Sequence, residues 1–220
     1  MNPITLFAAI IFLYFTSNES IAQVKIIRDT IGYRLEETDS IYFFKHCLPP
    51  QKTFIPDTLT IKKQKGIIRL PLYGNKFVEI KDVIDTSNEA YSQTYSYLGK
   101  NASLKYFLVE GNFYEWGAYY LVNTITGETD TFPTEPFFSP KNKYFVTFFF
   151  DHMNEVSYPL SVNFYNQIKG APRKIFSVSF TYQSIENFSW ESEKVFLFIT
   201  NIVSFDSVKT VSHFYRLTVK

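Results

Sequence analysis

Apolar and polar positions alternate with a period of two along much of this chain. In one clear case, Phe176, Val178 and Phe180 alternate with serines, so the three apolar side chains share one face. This period is typical of a half-buried antiparallel strand. Runs of this kind between turn signals predict strands at Val24–Arg28, Ile41–Lys45, Gly66–Pro71, Phe77–Val83, Tyr95–Tyr97, Leu104–Glu110, Ala118–Asn123, Tyr144–Phe150, Leu160–Gln167, Lys174–Tyr182, Lys194–Ile199 and Thr210–Val219.

Two stretches between these runs lack strand alternation. Residues 48–65 are rich in proline and lysine, and proline is excluded from central strands, so we predict a surface loop or an edge strand there. Residues 85–91 are predicted to form another loop. No convincing helical periodicity is found after the first residues.

The N-terminus has the pattern of an export signal. Ile4–Phe15 is an uncharged, mostly apolar run, shorter than the ~20 residues needed to cross a bilayer and typical of a signal peptide. Ser20 and Ala22 are small residues placed suitably for cleavage after Ala22. We therefore predict a signal peptide at 1–22 and a single β-rich domain at 23–220, with an uncleaved anchor as the alternative. The expected location is periplasmic, cell-surface or secreted.

The composition supports an all-β, antiparallel fold. The chain holds 24 Phe and 16 Tyr but only 8 Gly in 220 residues, and aromatic side chains favour pleated, half-buried surfaces. Its formal net charge of +1 argues against a nucleic-acid partner, which usually selects a clear basic excess. A single cysteine, Cys47, excludes an intrachain disulfide.

Two short patterns recur in the second half of the chain. Phe138–Phe145 aligns without gaps to Phe188–Val195, and a looser copy begins at Tyr97. Both well-matched copies have an aromatic residue followed by serine, then a polar turn and an apolar strand. A second pattern, a strand that leads into a glycine turn, occurs at Tyr119–Glu128 and again at Asn163–Gly170. Glycine at such a turn supplies the positive φ that a tight hairpin needs.

This order of elements resembles the blades of β-propellers of the TolB and WD40-like type, most clearly over residues 95–220, and the Ala22-Gln23 junction resembles the signal ends of exported Bacteroidetes proteins. The residues that carry the blade resemblance are Phe138, Ser139, Pro140 and Lys143 in one turn and Thr126, Gly127 and Glu128 in the preceding hairpin. Asn142 stands where the family usually has glycine. The resemblance implies propeller-like blades.

The chain length limits such a propeller to a small or incomplete one. A blade takes ~40–50 residues and a closed propeller has at least ~4 blades. Removal of the predicted 22-residue signal from 220 residues leaves 198, which is room for about four blades. The last unit would lack its fourth strand, and the predicted strand Val24–Arg28 could supply it. A β-sandwich or meander is the alternative fold.

No common catalytic or cofactor motif occurs in the sequence. It lacks a G-x-S-x-G elbow, a glycine-rich phosphate loop, an H-E-x-x-H motif and a second cysteine for a zinc site, so no cofactor and no metal are expected. The candidate binding residues are two aromatic residues at a hairpin-like turn, which core or rim packing would explain equally well, and a polar pair between strands, namely Tyr114, Trp116, Asp151 and His152.

These observations favour a non-enzymatic binding or scaffold domain of the cell envelope, with another envelope protein or a glycan as the partner. The alternative is a hydrolase or lyase that acts on a glycan or peptide. Glu110 and Glu115 are then the acid and base candidates, because glycoside hydrolysis uses a pair of carboxyl groups.

Overall fold

A computed structural model describes residues 25–150, 160–168, 171–180, 183–202 and 211–220. The predicted signal peptide, residues 1–22, lies outside this part. The described chain is all-β and antiparallel, as the sequence predicts. Its strands are β1 (Lys25–Asp29), β2 (Tyr33–Thr38), β3 (Ile67–Pro71), β4 (Phe77–Lys81), β5 (Thr94–Asn101), β6 (Tyr106–Asn112), β7 (Gly117–Asn123), β8 (Thr129–Phe132), β9 (Phe137–Phe138), β10 (Tyr144–Phe150), β11 (Leu160–Ile168), β12 (Ala171–Phe180), β13 (Gln183–Ser192), β14 (Val195–Ile202) and β15 (Val211–Val219).

The described strands form four sheets that follow one another along the chain. Sheet I is β3–β4, sheet II is β5–β6–β7–β8, sheet III is β9–β10–β11–β12, and sheet IV is β13–β14–β15–β2–β1. Strands that are consecutive in sequence are neighbours in each sheet, except where β15 pairs with β2. In that pair Val219 lies opposite Tyr33 and Phe214 opposite Thr38, so the two ends of the described chain share one sheet.

The strand beside β15 is not the one that the sequence predicted. Val24–Arg28 was expected to complete the last unit, but β1 pairs with β2, and β2 pairs with β15. The pattern search missed β2 because its sequence, YRLEET, holds more charged than apolar residues. Glu36 in this strand is nevertheless buried, because Arg216 of β15 bonds its carboxylate at 2.8 Å.

The central strands β6, β10 and β14 are buried on both faces. In β6, Tyr106 and Leu108 pack toward sheet III, whereas Phe107 and Val109 pack toward sheet I. In β10, Val146 and its alternate neighbours pack against sheet IV. Strands buried on both faces have continuous apolar sequences rather than alternating ones. The sheets therefore stack face to face in chain order, and each inner sheet buries its two faces against two neighbouring sheets.

One predicted strand, Ile41–Lys45, is wrong, because these residues lie in the helix α1 (Ser40–His46). Asp39 is the N-cap, and its Oδ1 accepts a hydrogen bond from the Tyr42 backbone N–H at 2.7 Å. Phe43 packs against Leu197 on the outer face of sheet IV. No helical periodicity marks α1 in the sequence, because the helix spans only 7 residues, too few for a 3.6-residue period to show.

The proline-rich stretch is irregular, as predicted, but it is not confined to the surface. Its first part, residues 48–56, crosses between two sheets, and we call it the strap. The Leu48 N–H donates to the Trp190 carbonyl of β13 at 2.9 Å, and Ile55 exchanges two hydrogen bonds of 3.0 and 3.1 Å with Lys100 of β5. Phe54 is buried in the core between sheets II and III. The strap thus connects the first strands of sheets II and IV.

The turn at Ser139 joins sheet III to sheet IV through one carboxylate. Glu193, in the β13–β14 turn, accepts from the Ser139 hydroxyl at 2.6 Å and from the N–H groups of Lys141 and Lys143 at 2.6 and 2.9 Å. Asn142 takes a φ of 58°, the left-handed conformation that asparagine tolerates better than most residues. Gly127 has a φ of 78°, as predicted for its hairpin.

The substitution Gly99→Ala tests the seating of the strap. A Cβ at this position would lie 2.9 Å from the carbonyl carbon of Ile55, a backbone atom that has no rotamer with which to move away. We expect the free energy of unfolding to fall by about 1–3 kcal/mol, the usual cost of overpacking. The measurement is urea denaturation of residues 23–220. Gly32→Ala is the control, because its nearest neighbour would be a Phe176 side-chain atom at an ordinary 3.7 Å. Equal urea midpoints for Gly99→Ala and Gly32→Ala would show that the strap does not pack closely against Gly99.

Candidate functional site

Three connections meet at one end of sheet II. Because β6 and β8 run toward this end and β5 and β7 run away from it, residues 82–93, 113–116 and 133–136 all lie here. The Phe148 N–H donates to Thr134 Oγ1 at 2.8 Å, which brings the last part of β10 to the same place. We call this region the loop end.

Four of the residues predicted from the sequence belong to the loop end. Tyr114, Glu115 and Trp116 form the β6–β7 turn, and Glu110 lies near the end of β6. The other two candidates, Asp151 and His152, follow β10 directly but lie outside the described residues.

The β6–β7 turn carries an exposed aromatic pair on an anchored base. Tyr114 is 65% exposed and Trp116 is 60% exposed. Phe113 stacks on Trp116 with ring centroids 4.0 Å apart, and Tyr95 meets Phe113 edge to face at 6.2 Å. The Phe113 N–H also bonds the Trp116 carbonyl at 2.9 Å. Trp116 is therefore held in place while much of its surface stays open to solvent, an arrangement typical of recognition surfaces.

A cleft of about 600 Å³ adjoins this aromatic pair. Its lining combines aromatic, hydroxyl, amide and carboxylate groups and contains no lysine or arginine: Ile84, Asp85, Thr86, Glu89, Ser92, Thr94, Asn112, Phe113 and Tyr114. Asp85 shapes this loop, since it accepts from the Ser87 N–H at 2.8 Å, from the Ser87 hydroxyl and from the Asn88 N–H. The hydrogen bond from the Ser87 hydroxyl, followed by those from the two backbone groups, lowers the pKa of Asp85.

Glu110 is close to a carboxylate, but that carboxylate is not Glu115. The Tyr119 hydroxyl donates to Glu110 Oε1 at 2.9 Å, and the nearby acid is Glu135 in the β8–β9 connection. Desolvation, with the repulsion of Glu110 added, raises the pKa of Glu135, and this shift is small because the residue is exposed at the surface. Burial and the bond to Glu110 raise the pKa of Tyr119 to about 12. Glu115 lies exposed on the turn.

The sequence search missed Glu135 because no local pattern marks it. Glu110 and Glu135 are brought together only by the return of the chain through β7 and β8. The single available signal was their position, since each is adjacent to the end of an antiparallel strand.

Glu135 also lines a second cleft of about 510 Å³ between the strap and strands of sheets II, III and IV. The lining is mostly apolar and aromatic: Pro50, Gln51, Lys52, Thr53, Phe54, Pro56, Leu98, Leu108, Glu135, Pro136, Phe137, Phe138 and Phe188. An apolar cleft with few polar groups and an acid of raised pKa has the general character of a ligand site.

Another polar cluster ties the helix to sheet IV. Arg216 bonds Glu36 at 2.8 Å and Glu191 at 3.0 Å, and the Tyr42 hydroxyl donates to Glu191 at 3.1 Å. The charges in this cluster are paired with one another, which is the arrangement of a structural network. Nearby, burial raises the pKa of Cys47 and disfavours the reactive thiolate.

Within the described residues, no group of three or more His, Cys, Asp and Glu side chains is arranged to hold a metal ion. In the same part of the chain, no helix has the length and apolar character to cross a membrane. Comparisons with known protein families, curated proteins and solved structures find no match to this chain.

The raised pKa of Glu135 predicts a pH-dependent stability difference. The native state holds this proton more tightly than the unfolded chain, so the Glu135 contribution to stability falls as pH rises from the unfolded value of ~4.3 through the native pKa. Glu135→Gln removes this titration and the repulsion of Glu110. We expect the variant to gain stability over the wild type at neutral pH, and this gain to shrink as the pH falls through the native pKa toward ~4.3, below which it is lost.

The measurement is the urea midpoint as a function of pH for the wild type and the variant. Glu115→Gln is the matched control, since this exposed carboxyl should leave the profile unchanged. A pH-independent difference for Glu135→Gln would show that the pKa of Glu135 is not raised in the native state.

Proposed function

We propose that this chain is a non-enzymatic binding domain of the cell envelope and that it binds a glycan at the loop end. The observation that carries this proposal is the exposed pair Tyr114 and Trp116, supported by Phe113 beside the 600 Å³ cleft. The envelope location rests on the predicted signal at residues 1–22.

The chemistry of the cleft favours an uncharged or weakly charged sugar. The C–H faces of a sugar ring pack against aromatic rings, and its hydroxyl groups exchange hydrogen bonds with hydroxyl, amide and carboxylate groups. Thr86, Ser92 and Asn112 supply such groups. Because no lysine or arginine lines the cleft, an acidic ligand would find no counter-charge there.

We also propose that the four sheets are the blades of a small, incomplete propeller. The order of consecutive strands within each sheet supports this interpretation, as does the pairing of β2 with β15. The segments that begin at Tyr97, Phe138 and Phe188 each lie on the first hairpin of a sheet. Asn142 adopts the left-handed conformation at the position where the family usually has glycine.

The binding proposal is tested with the double variant Tyr114→Ala/Trp116→Ala. We expect titration calorimetry against a panel of neutral oligosaccharides to find binding by the wild type, and the variant to lose about tenfold or more in affinity, because aromatic residues dominate such contacts. Tyr73→Ala, another exposed aromatic residue, is the control and should bind as the wild type does. Equal affinity for the double variant and the control would refute the site. If the wild type captures an envelope protein but binds no sugar, the partner is a protein and not a glycan.

A hydrolase is the second candidate, favoured by the raised pKa of Glu135 beside Glu110. A carboxyl group with a raised pKa is suited to general-acid catalysis, and glycoside hydrolysis pairs it with a second carboxylate. In this case the wild type should release products from the oligosaccharides that it binds. Glu110→Gln and Glu135→Gln should each abolish release, whereas Glu115→Gln should not. A wild type that binds without turnover rules out this candidate.

A further inference from the structure

A basic groove lies on the side of the molecule where the stack of sheets begins. One face of sheet I, with Ile68 and Leu70, packs against sheet II, and the opposite face carries Ile67 and Arg69. Beside this second face is a groove of about 660 Å³. Its lining holds three cationic side chains and no carboxylate: Leu59, Thr60, Lys62, Gln64, Lys65, Ile67 and Arg69.

The backbone that carries the groove residues is anchored from its other side. Ile61 is buried in the core between sheets I and II. The Lys63 ammonium group donates to the Tyr95 carbonyl at 2.8 Å and pairs with Asp82. Because residues 61 and 63 are held inward, the intervening Lys62 and its alternate neighbours face the groove. The position of these side chains is therefore set by the core and not by the solvent.

A tight turn forms the far wall of the groove. Gln64 and Ile67 exchange two backbone hydrogen bonds of 2.9 Å. Lys65 and Gly66, between them, have φ angles of 49° and 75°, the geometry of a two-residue hairpin turn. This turn presents Lys65 at the edge of the groove, opposite the segment that carries Thr60 and Lys62.

The positive charge of the groove is only partly compensated. Arg69 uses its Nε to bond Glu79 at 2.7 Å, and its guanidinium lies over the Phe77 ring at 4.9 Å. Among the described residues, no carboxylate forms an ion pair with Lys62 or Lys65. In a chain with a net charge of only +1, this is a local concentration of unpaired charge.

We propose that this groove binds an acidic polysaccharide. Lys62 and Lys65 would hold its carboxylate or sulfate groups by charge-assisted hydrogen bonds, and Gln64 would contact its hydroxyl groups. The Thr60 hydroxyl donates to Asp57 Oδ1 at 2.9 Å and would accept a hydrogen bond from the ligand. A polysaccharide fits better than a membrane or a nucleic acid. Attraction to an anionic bilayer usually needs clusters of ~4–8 basic residues, and nucleic-acid binding needs a clear basic excess. The groove is concave, whereas a bilayer surface is flat.

The test is calorimetric titration of residues 23–220 with polygalacturonate, which carries carboxylates, with dextran sulfate, and with neutral dextran. We expect binding to one or both acidic polymers, weakened by added salt. Any binding of neutral dextran should be lost in Tyr114→Ala/Trp116→Ala and unchanged in Lys62→Glu/Lys65→Glu, because a neutral sugar would bind at the loop end. The relative affinities identify the preferred acidic group. Lys62→Glu/Lys65→Glu should reduce the affinity by tenfold or more, the usual effect of losing two charged contacts. Melting curves establish that the variant is folded.

The matched control is Arg173→Glu/Lys174→Glu on β12, where both side chains are exposed and the charge change is the same. This control should keep most of the wild-type affinity. An equal loss of affinity in both double variants would show diffuse electrostatic attraction and would refute the groove as the binding site. The proposal would also be refuted if the wild type bound neither acidic polymer, or bound phosphatidylglycerol vesicles or duplex DNA instead. Tyr114→Ala/Trp116→Ala should leave acidic-polymer binding intact, which separates this inference from the proposed glycan site.

Discussion

The burial of the central strands on both faces is the constraint on which the rest of this structure depends. A strand such as β6, with Phe107 directed to one neighbour and Leu108 to the other, is stable only between two packed layers. The aromatic composition follows from this requirement, because large rings fill the space between sheets. The same requirement makes the exposed aromatic residues informative. Where a large aromatic residue such as Trp116 stays exposed on an anchored turn, the core does not account for it.

The two candidate binding surfaces have opposite chemistry, although both border sheets I and II. The cleft at the loop end offers aromatic faces and oxygen groups, whereas the groove beside sheet I offers cations. Both are built on backbone that the core holds in place, through Phe113 in one case and Ile61 in the other. A ligand at either surface therefore meets side chains that are already positioned, which lowers the entropic cost of binding.

The sequence predicted the strands that alternate or are continuously apolar, and it failed where tertiary partners decide. β2 has the charged sequence YRLEET and is a strand because Arg216, far away in the chain, neutralises Glu36. The helix α1 was read as a strand because it spans only 7 residues and its Ile, Tyr and Phe side chains are those that favour strands. At the candidate site, the aromatic turn was predictable from its local sequence, whereas the exposure of Tyr114 and Trp116 was not. The proximity of Glu135 to Glu110 was not predictable, because residues brought together across a sheet share no local sequence pattern.

The pairing of β2 with β15 has a consequence for the folding of this protein. Glu36 and Arg216 are 180 residues apart along the chain, yet they meet on adjacent strands. Sheets II and III pair only segments that are close in sequence, so they can form from local contacts. Sheet IV is complete only when β15 has paired with β2. Its formation therefore depends on a long-range contact, and long-range contacts slow folding.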